Sequence, residues 1–362
     1  MKAIVFGVNG QDGSYLSELL LEKDHEVIGV IRRTSTDNTE RLIESKKYEN
    51  FTIVEGDVTD PSSINVLIKN HQPEQVYNLA AQSHVGTSFE QPSYTFQVNA
   101  VGVLNILEAI RLFSPRTRFY QASTSEMFGN NYTELGNQKF QNEYTEFAPD
   151  SPYAVSKVAA HRLVQNYRRA YGLHASCGIL FNHESPRRGH EFVTRKITRY
   201  ISDFYHWKKS KQILGFDDEN IIADHDSDYV GDEWSLKSSN VVEAVTFPKL
   251  RLGNIHAERD WGHALDYVKA MYLMVQEDEP DDYVIATSET NTISNFLDCA
   301  FGCINVRDWN DYIYIDEKLY RPSDVEYLLG KSDKARRNLG WAPQVTFKEL
   351  VKLMVEFDVY NH

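Results

Sequence analysis

Cysteine is scarce: Cys177, Cys299 and Cys303 are the only three in 362 residues, too few for a disulfide framework. Cys299 and Cys303 are four apart and can share a helix face, but no nearby His or Cys completes a metal set. Buried thiols in a reducing cytoplasm and no metal site are therefore expected. No apolar run is long enough to span a bilayer, and Lys2–Val8 leads into a strand and glycine turn instead of a signal peptide. Positive charge is also in deficit, with 38 Lys and Arg against 52 Asp and Glu and a formal net charge of -14. That balance argues against nucleic acid or an anionic membrane as partner. Any bound phosphate must be met by local Arg, Lys and backbone N–H groups. What remains is a chain long enough for one large or two modest domains, with a globular composition of 41% hydrophobic residues.

The first half alternates strands and helices. Lys2–Phe6 is an apolar strand, Gly7-Val-Asn-Gly10-Gln-Asp-Gly13 a glycine turn, and Ser14–Lys23 a helix through Leu16, Leu19 and Leu20. Such a turn allows close backbone approach and aims a helix N-terminus at a pyrophosphate, although the spacing is GxxGxxG instead of GxGxxG. The next strand, His25–Ile31, ends in Arg32-Arg33, about twenty residues after Gly13, where an NAD site carries Asp or Glu. Two cations there suit the extra 2′-phosphate of NADP. Phe51–Glu55 is a third strand, followed by Asp57, placed to accept from an adenine amino group, and Val58. Val76–Leu79 is a fourth strand, leading into Ala80-Ala81, small enough for backbone to approach a ribose or phosphate. Asn99–Leu112 reads as helix, Arg118–Ala122 as the fifth strand and Ala175–Phe181 as another buried one. This alternation predicts an α/β fold with a doubly wound parallel sheet of Rossmann type, binding ligands beyond the carboxyl ends of its strands.

The stretch Ser151-Pro-Tyr-Ala-Val-Ser-Lys157 organises the chemistry. Pro152 suits a first helical turn, and Tyr153 to about Ala170 reads as helix with Val155, Val158, Ala159, Leu163, Val164 and Tyr167 on one face. Tyr153 and Lys157, four apart, share a side of it. A cation beside a phenol favours the phenolate, a general base for a hydroxyl proton. Thr124 and Glu126 fall just past the end of the fifth strand.

These residues resemble the extended short-chain dehydrogenase/reductase superfamily, and within it the GDP-mannose 4,6-dehydratase family. The matching blocks include Gly10-Gln-Asp-Gly-Ser-Tyr-Leu16, Tyr77-Asn-Leu-Ala-Ala-Gln-Ser-His-Val85, Arg118–Glu126, Gly178–Gly189, Phe192-Val-Thr-Arg-Lys196, Arg259-Asp-Trp-Gly-His-Ala264 and Arg321-Pro322. The resemblance implies an NADP site at Gly7, Asn9, Gly10, Gln11, Asp12, Gly13, Arg32, Arg33, Asp57, Val58, Leu79, Ala80, Ala81, Ser83, Tyr153, Lys157, His183 and Arg188. It implies GDP-mannose contacts at Ser88, Thr124, Glu126, Asn182, Val193, Lys196, Arg259, Arg321 and Asp324. It also implies two domains: a cofactor domain over 1–180 with a returning segment near 258–288, and a smaller, discontinuous nucleotide-sugar domain over 181–257 and 289–362. A homo-oligomer, a tetramer or a dimer, and a route towards GDP-fucose or related deoxysugars follow from the same resemblance.

Three departures stand out. Asp324 occupies a position where the family has Glu. Asn130–Asp150 is longer than expected. An insert near 204–250 carries Asp217, Asp218, Glu219, Asp224, Asp226, Asp228, Asp232 and Glu233; Gly231 falls at the wrong position for a calcium loop, so a solvated acidic loop is expected.

Thr124, Tyr153 and Lys157 alone make a hydride-transfer site; Glu126 adds a base for the C5 proton of a C4-oxidised sugar. The expected reaction is therefore a 4,6-dehydration of GDP-mannose. The alternatives are another NADP-dependent nucleotide-sugar dehydratase, epimerase or reductase, or a non-catalytic binder, which has no use for the Thr/Glu/Tyr/Lys set.

Overall fold

The computed structural model describes residues 1–213, 222–229, 246–320 and 322–361. Two compact units are formed. The first comprises Met1–His183, Asp260–Thr290 and Tyr327–Gln344. Its seven sheet strands are β1 (Lys2–Phe6), β2 (Glu26–Ile31), β3 (Phe51–Glu55), β4 (Gln75–Asn78), β5 (Arg118–Thr124), β6 (Ala175–Leu180) and β7 (Asp282–Ile285). They are parallel throughout and ordered β7-β6-β5-β4-β1-β2-β3, the expected doubly wound sheet. Alternate side chains supply two cores. Ala3, Val5, Val27, Tyr77 and Tyr120 pack beneath helix α1 (Gln11–Glu22) and the returning helix Ala264–Gln276. On the opposite face, Ile4, Phe6, Ile28, Val76 and Phe119 pack beneath α2 (Pro61–His71), α3 (Gly102–Phe113) and α4 (Pro152–Tyr171).

Several expectations need correction. Helix α1 starts at Gln11 and not at Ser14, because backbone geometry at Gly10 sets its start and apolar periodicity reports only the buried part. The helical stretch into α3 begins at Pro92 and passes through a π turn at Gln97–Val101. By length and composition Pro92–Phe113 could cross a bilayer, contrary to the expectation that no run would. Val98, Val103, Ile106, Leu107 and Ile110 are nevertheless buried in the sheet's core, where that apolar surface is used. Tyr327–Gln344 belongs to the first unit, although 289–362 was expected to form the second domain. The reason is burial: Ala335, Leu339 and Trp341 enter the core, and the Trp341 indole donates to the Asp266 carbonyl at 2.7 Å. Only Cys177 of the three cysteines is buried, since Cys303 is exposed and Cys299 is half-buried.

The second unit comprises Glu184–Arg259, Asn291–Glu326 and Val345–His362. Its core is aromatic, with Tyr200, Phe204 and Trp207 of helix Val193–Ile213 meeting Phe247, Phe301 and Tyr312. Buried Arg195 pairs with Asp358 of helix Phe347–Tyr360. The insert was expected to be a loop, but Ile222–Asp228 is a strand paired in parallel with Thr246–Leu252, which pairs in turn with Ile313–Ile315. Asp224, Asp226 and Asp228 lie on that strand, while Asp217, Asp218, Glu219, Asp232 and Glu233 lie outside the described residues. Asn130–Asp150 contains a short hairpin, Thr133–Leu135 with Gln138–Phe140.

Candidate active site

The carboxyl ends of β1, β2, β3 and β4 lie side by side, and most of the expected cofactor residues sit there. Gly7 has a φ of 75°, a left-handed conformation that suits glycine. A Cβ on Gly7 would stand 2.8 Å from the Ala80 nitrogen, and one on Gly13 would stand 2.3 Å from the Gly7 carbonyl oxygen. The turn, the start of α1 and the Leu79-Ala80 backbone therefore close into a cradle that tolerates no side chains at these points. Gly10 gives α1 no side-chain cap. A dinucleotide pyrophosphate fits such a helix start, where backbone N–H groups and the dipole meet negative charge.

Around the cradle, Arg32 and Arg33 are exposed at the end of β2, and Arg32 donates to the Tyr94 hydroxyl at 2.7 Å. Arg41 reaches the Asn9 carbonyl at 3.5 Å, while the Asn9 amide reaches the Asn38 carbonyl at 3.4 Å. Asp57 accepts from the Thr59 N–H at 2.9 Å and hydroxyl at 2.7 Å, which fixes its carboxylate at the end of β3. Val58 is buried, Ala81 half-buried and Ser83 exposed. Asp12 and His183, far apart in sequence, meet at 2.7 Å; His183 also contacts the Phe181 carbonyl, stacks on Tyr267 and receives the Gln11 amide on its own carbonyl.

The catalytic candidates occupy one strand end and one helix. Thr124 is the last residue of β5, two beyond the predicted end, and its hydroxyl oxygen accepts from the Glu126 N–H at 3.3 Å. Glu126 is the second residue of the short 3-10 turn Ser125–Phe128 and is half-buried. Helix α4 begins as predicted at Ser151-Pro152, with the Ser151 hydroxyl capping Ala154 N–H at 3.1 Å. Its buried face matches the predicted one only in part: Val164 and Tyr167 are buried as expected, but Val155 is exposed, and Tyr153, Ser156, Lys157, Ala160 and His161 also point inward. Lys157 Nζ donates to the Ala122 carbonyl at 3.0 Å and lies 5.9 Å from the Tyr153 ring centre. Burial lowers its pKa to about 8. The helix thus holds a desolvated cation close to the phenol, the arrangement that favours a phenolate.

Asn99 was missed by sequence reasoning. Its amide bonds the Gln82 backbone at both N–H (2.9 Å) and C=O (3.0 Å) and reaches the Ser156 hydroxyl at 3.1 Å. Ser156 donates in turn to the Tyr153 carbonyl at 2.7 Å. Asn99 therefore ties the segment after β4 to the Tyr153 turn of α4. Its signal is a polar residue amid apolar Val98, Ala100 and Val101. Ser88 is fully buried and donates to the Val85 carbonyl at 2.6 Å. Asn182 is half-buried just past β6.

The second unit carries its own polar set. Arg259 is buried and reaches Asp324 at 3.3 Å, so two expected substrate residues form a pair. Arg188, an expected cofactor residue, lies 3.1 Å from buried Glu184, and its guanidinium stacks 3.7 Å over Phe192. Val193 begins the helix that exposes Lys196. Arg321 lies outside the described residues.

The family profile described as GDP-mannose 4,6 dehydratase matches residues 4–245 and 223–354. GDP-mannose 4,6 dehydratase 1 of Arabidopsis thaliana is 45% identical over 99% of this chain and 89% of its own length. Among solved structures, dTDP-glucose 4,6-dehydratase from Bacillus anthracis in complex with NAD superposes with a TM-score of 0.75 at 19% identity, covering 100% of this chain and 97% of the other. RMD from Pseudomonas aeruginosa complexed with NADPH gives a TM-score of 0.72 at 20% identity, covering 100% and 99%.

Proposed function

The chain belongs to the GDP-mannose 4,6-dehydratase family of nucleotide-sugar dehydratases, and we propose that it uses NADP to convert GDP-mannose to GDP-4-dehydro-6-deoxy-D-mannose and water. The observation that carries the site assignment is the joint placement of Thr124 and Glu126 at one strand end, beside a helix that buries Tyr153 and Lys157. The glycine cradle would hold the pyrophosphate, Asp57 the adenine side and Arg32-Arg33 the 2′-phosphate. Held there, NADP would supply the reversible hydride chemistry between C4 and C6 of the hexose.

The chain's own residues supply the proton chemistry. Thr124 Oγ1 orients the C4 oxygen of the sugar. Tyr153 Oη takes the proton from that oxygen as C4 becomes a ketone. Lys157 keeps Tyr153 in its basic form through its charge. The ketone acidifies the C5 proton, which the Glu126 carboxylate removes; the same group, now protonated, gives its proton to the departing C6 hydroxyl. Hydride addition at C6 leaves an enolate, and Tyr153 Oη, protonated in the first step, returns its proton to C5, so O4 stays as the carbonyl of the product and the phenolate is restored. Atoms balance as loss of one water. In the second unit, Arg259, Lys196 and Asp324 offer charge and hydrogen bonds for the diphosphate and ribose of the substrate.

The same reading carries a cytoplasmic location and a homo-oligomer. The exposed apolar residues Leu112 of α3 and Val155 and Tyr171 of α4 support a helix-to-helix contact between copies. Incubation with GDP-, UDP-, dTDP- and CDP-hexoses tests the assignment: a 4-keto-6-deoxy product from GDP-mannose is expected. Turnover of a UDP- or dTDP-hexose alone would move the chain to another nucleotide-sugar reaction.

A further inference from the structure

Behind the catalytic strand lies a buried polar cluster that the reaction does not use. His161 sits one turn beyond Lys157 on α4, Ser123 immediately precedes Thr124 on β5, Cys177 lies on β6 and Asp282 on β7. Ser123, His161 and Cys177 are almost wholly inaccessible. His161 Nδ1 is 3.0 Å from Ser123 Oγ, and His161 Nε2 is 3.1 Å from the Gln165 amide nitrogen. That nitrogen donates to Asp282 at 2.7 Å. The Ser123 hydroxyl also bonds the Cys177 sulfur, and the Cys177 thiol bonds Asp282. Arg168 pairs with the other Asp282 oxygen at 2.5 Å, and Phe147 packs edge-on against the imidazole with ring centres 5.2 Å apart.

The donors and acceptors form a closed ring. The Gln165 amide nitrogen meets both Asp282 and His161 Nε2, Nε2 itself lies 3.5 Å from the Asp282 carboxylate, and Nδ1 meets Ser123 Oγ. Ser123 donates to Cys177, and Cys177 donates to Asp282. The ligand atoms of His161, Cys177 and Asp282 do lie within 4.8 Å of one another, a spacing a metal ion could use. Burial and the Asp282 charge keep Cys177 a thiol, and Arg168 already neutralises Asp282, so the cluster is built for hydrogen bonds and not for a cation.

The position of this ring gives it a role. Ala122, Ser123 and Thr124 are consecutive. Lys157 holds Ala122 through its carbonyl, and His161 holds Ser123 through its hydroxyl. We infer that His161 and Ser123 are positioning residues: their bond is a second tether between the catalytic helix and the strand end, setting Thr124 against Tyr153. This rests on the reading of Thr124, Tyr153 and Lys157 as the hydride-transfer site. A rigid two-point attachment matters because loss of alignment by a fraction of an ångström slows hydride and proton transfer more than it weakens binding.

The test uses Ser123→Ala, His161→Phe, His161→Asn and the Ser123→Ala/His161→Phe double variant of the full chain. Asparagine keeps a polar atom where Nδ1 stands; phenylalanine keeps the ring shape without it. Measured with GDP-mannose and its C4-deuterated form, kcat should fall about tenfold in Ser123→Ala and His161→Phe, with KM nearly unchanged. The C4-deuterium isotope effect on kcat should rise as hydride transfer becomes limiting. His161→Asn should recover most of the rate, and the double variant should be no slower than the slower single one. Thermal melts of each variant, read beside the rates, separate positioning from folding. The proposal is overturned if the folded single variants keep wild-type kcat and isotope effect. It is equally overturned if Asn is no better than Phe, or if the two losses multiply. Failure of the wild-type chain to turn over GDP-mannose would instead remove the functional reading on which it stands.

Discussion

Replacing Lys157 with methionine should stabilise the cofactor-free protein at neutral pH while ending turnover. The amine is buried, and burial lowers its pKa from 10.5 to about 8. That difference corresponds to about 3 kcal/mol spent on keeping the cation in the folded chain. Methionine fills similar space without charge. It gives up one hydrogen bond, about 1 kcal/mol, but the Ala122 carbonyl keeps a second donor in the Gln121 amide at 2.9 Å. A net gain of about 2 kcal/mol is expected. The sign of its pH dependence is fixed by the direction of the shift. The unfolded chain holds the lysine proton more tightly, so wild-type stability rises with pH across the interval from about 8 to 10.5. The advantage of Lys157→Met is therefore full below that interval and shrinks through it. Urea unfolding of both cofactor-free proteins at about pH 7 and about pH 10 measures the difference. A variant less stable than wild type near neutrality, with a gap that does not change with pH, would refute the reasoning that a buried cation is maintained at the expense of stability.

Three further outcomes are expected. Glu126→Gln keeps the size of the side chain but loses its proton chemistry, so product formation should fall about 10²–10⁴-fold. Solvent deuterium exchange at C5 should vanish while some NADPH and oxidised sugar accumulate; Tyr153→Phe should lose even the NADPH signal. Near-wild-type C5 exchange in Glu126→Gln would assign the elimination to another residue. Neutralising Arg32 and Arg33 together should weaken NADP far more than NAD by calorimetry, and equal losses would contradict their assignment to the 2′-phosphate. Light scattering at micromolar concentration should give a dimer or tetramer, and a monomer would leave the exposed apolar residues of α3 and α4 without the proposed role.

Much of this site was legible before the fold was seen. The Gly7–Gly13 turn, the strand ends at Arg32 and Asp57, and Ser151-Pro152 before Tyr153 and Lys157 are local signals. Each rests on backbone sterics or on neighbours within one helical turn. The same signals failed where burial was decided elsewhere. The apolar residues of α4 predicted one inward face, yet Val155 is outside while Ser156, Lys157 and His161 are inside. Their burial is possible because β5, Asn99 and β7 bring polar partners to Lys157, Ser156 and His161. The acidic run at Asp224–Asp228 read as a solvated loop by composition, but it lies on a strand because Thr246–Leu252 offers a ladder for it.

By itself the sequence determined the order of strands and helices, the cradle that only glycine permits, and the four residues that carry the proposed chemistry. These depend on constraints that act over a few residues, where steric limits and periodicity are strong. Tertiary structure alone decided that Asp12 would meet His183, that Tyr327–Gln344 would return to the first unit, and that Asp282 would anchor a hydrogen-bonded ring behind Thr124. It also decided the electrostatics of Lys157, because the cost of charge depends on how much water the surrounding elements remove. Pairings across such long stretches of chain leave no periodic trace, since they are created only when the parallel sheet sets its strand order.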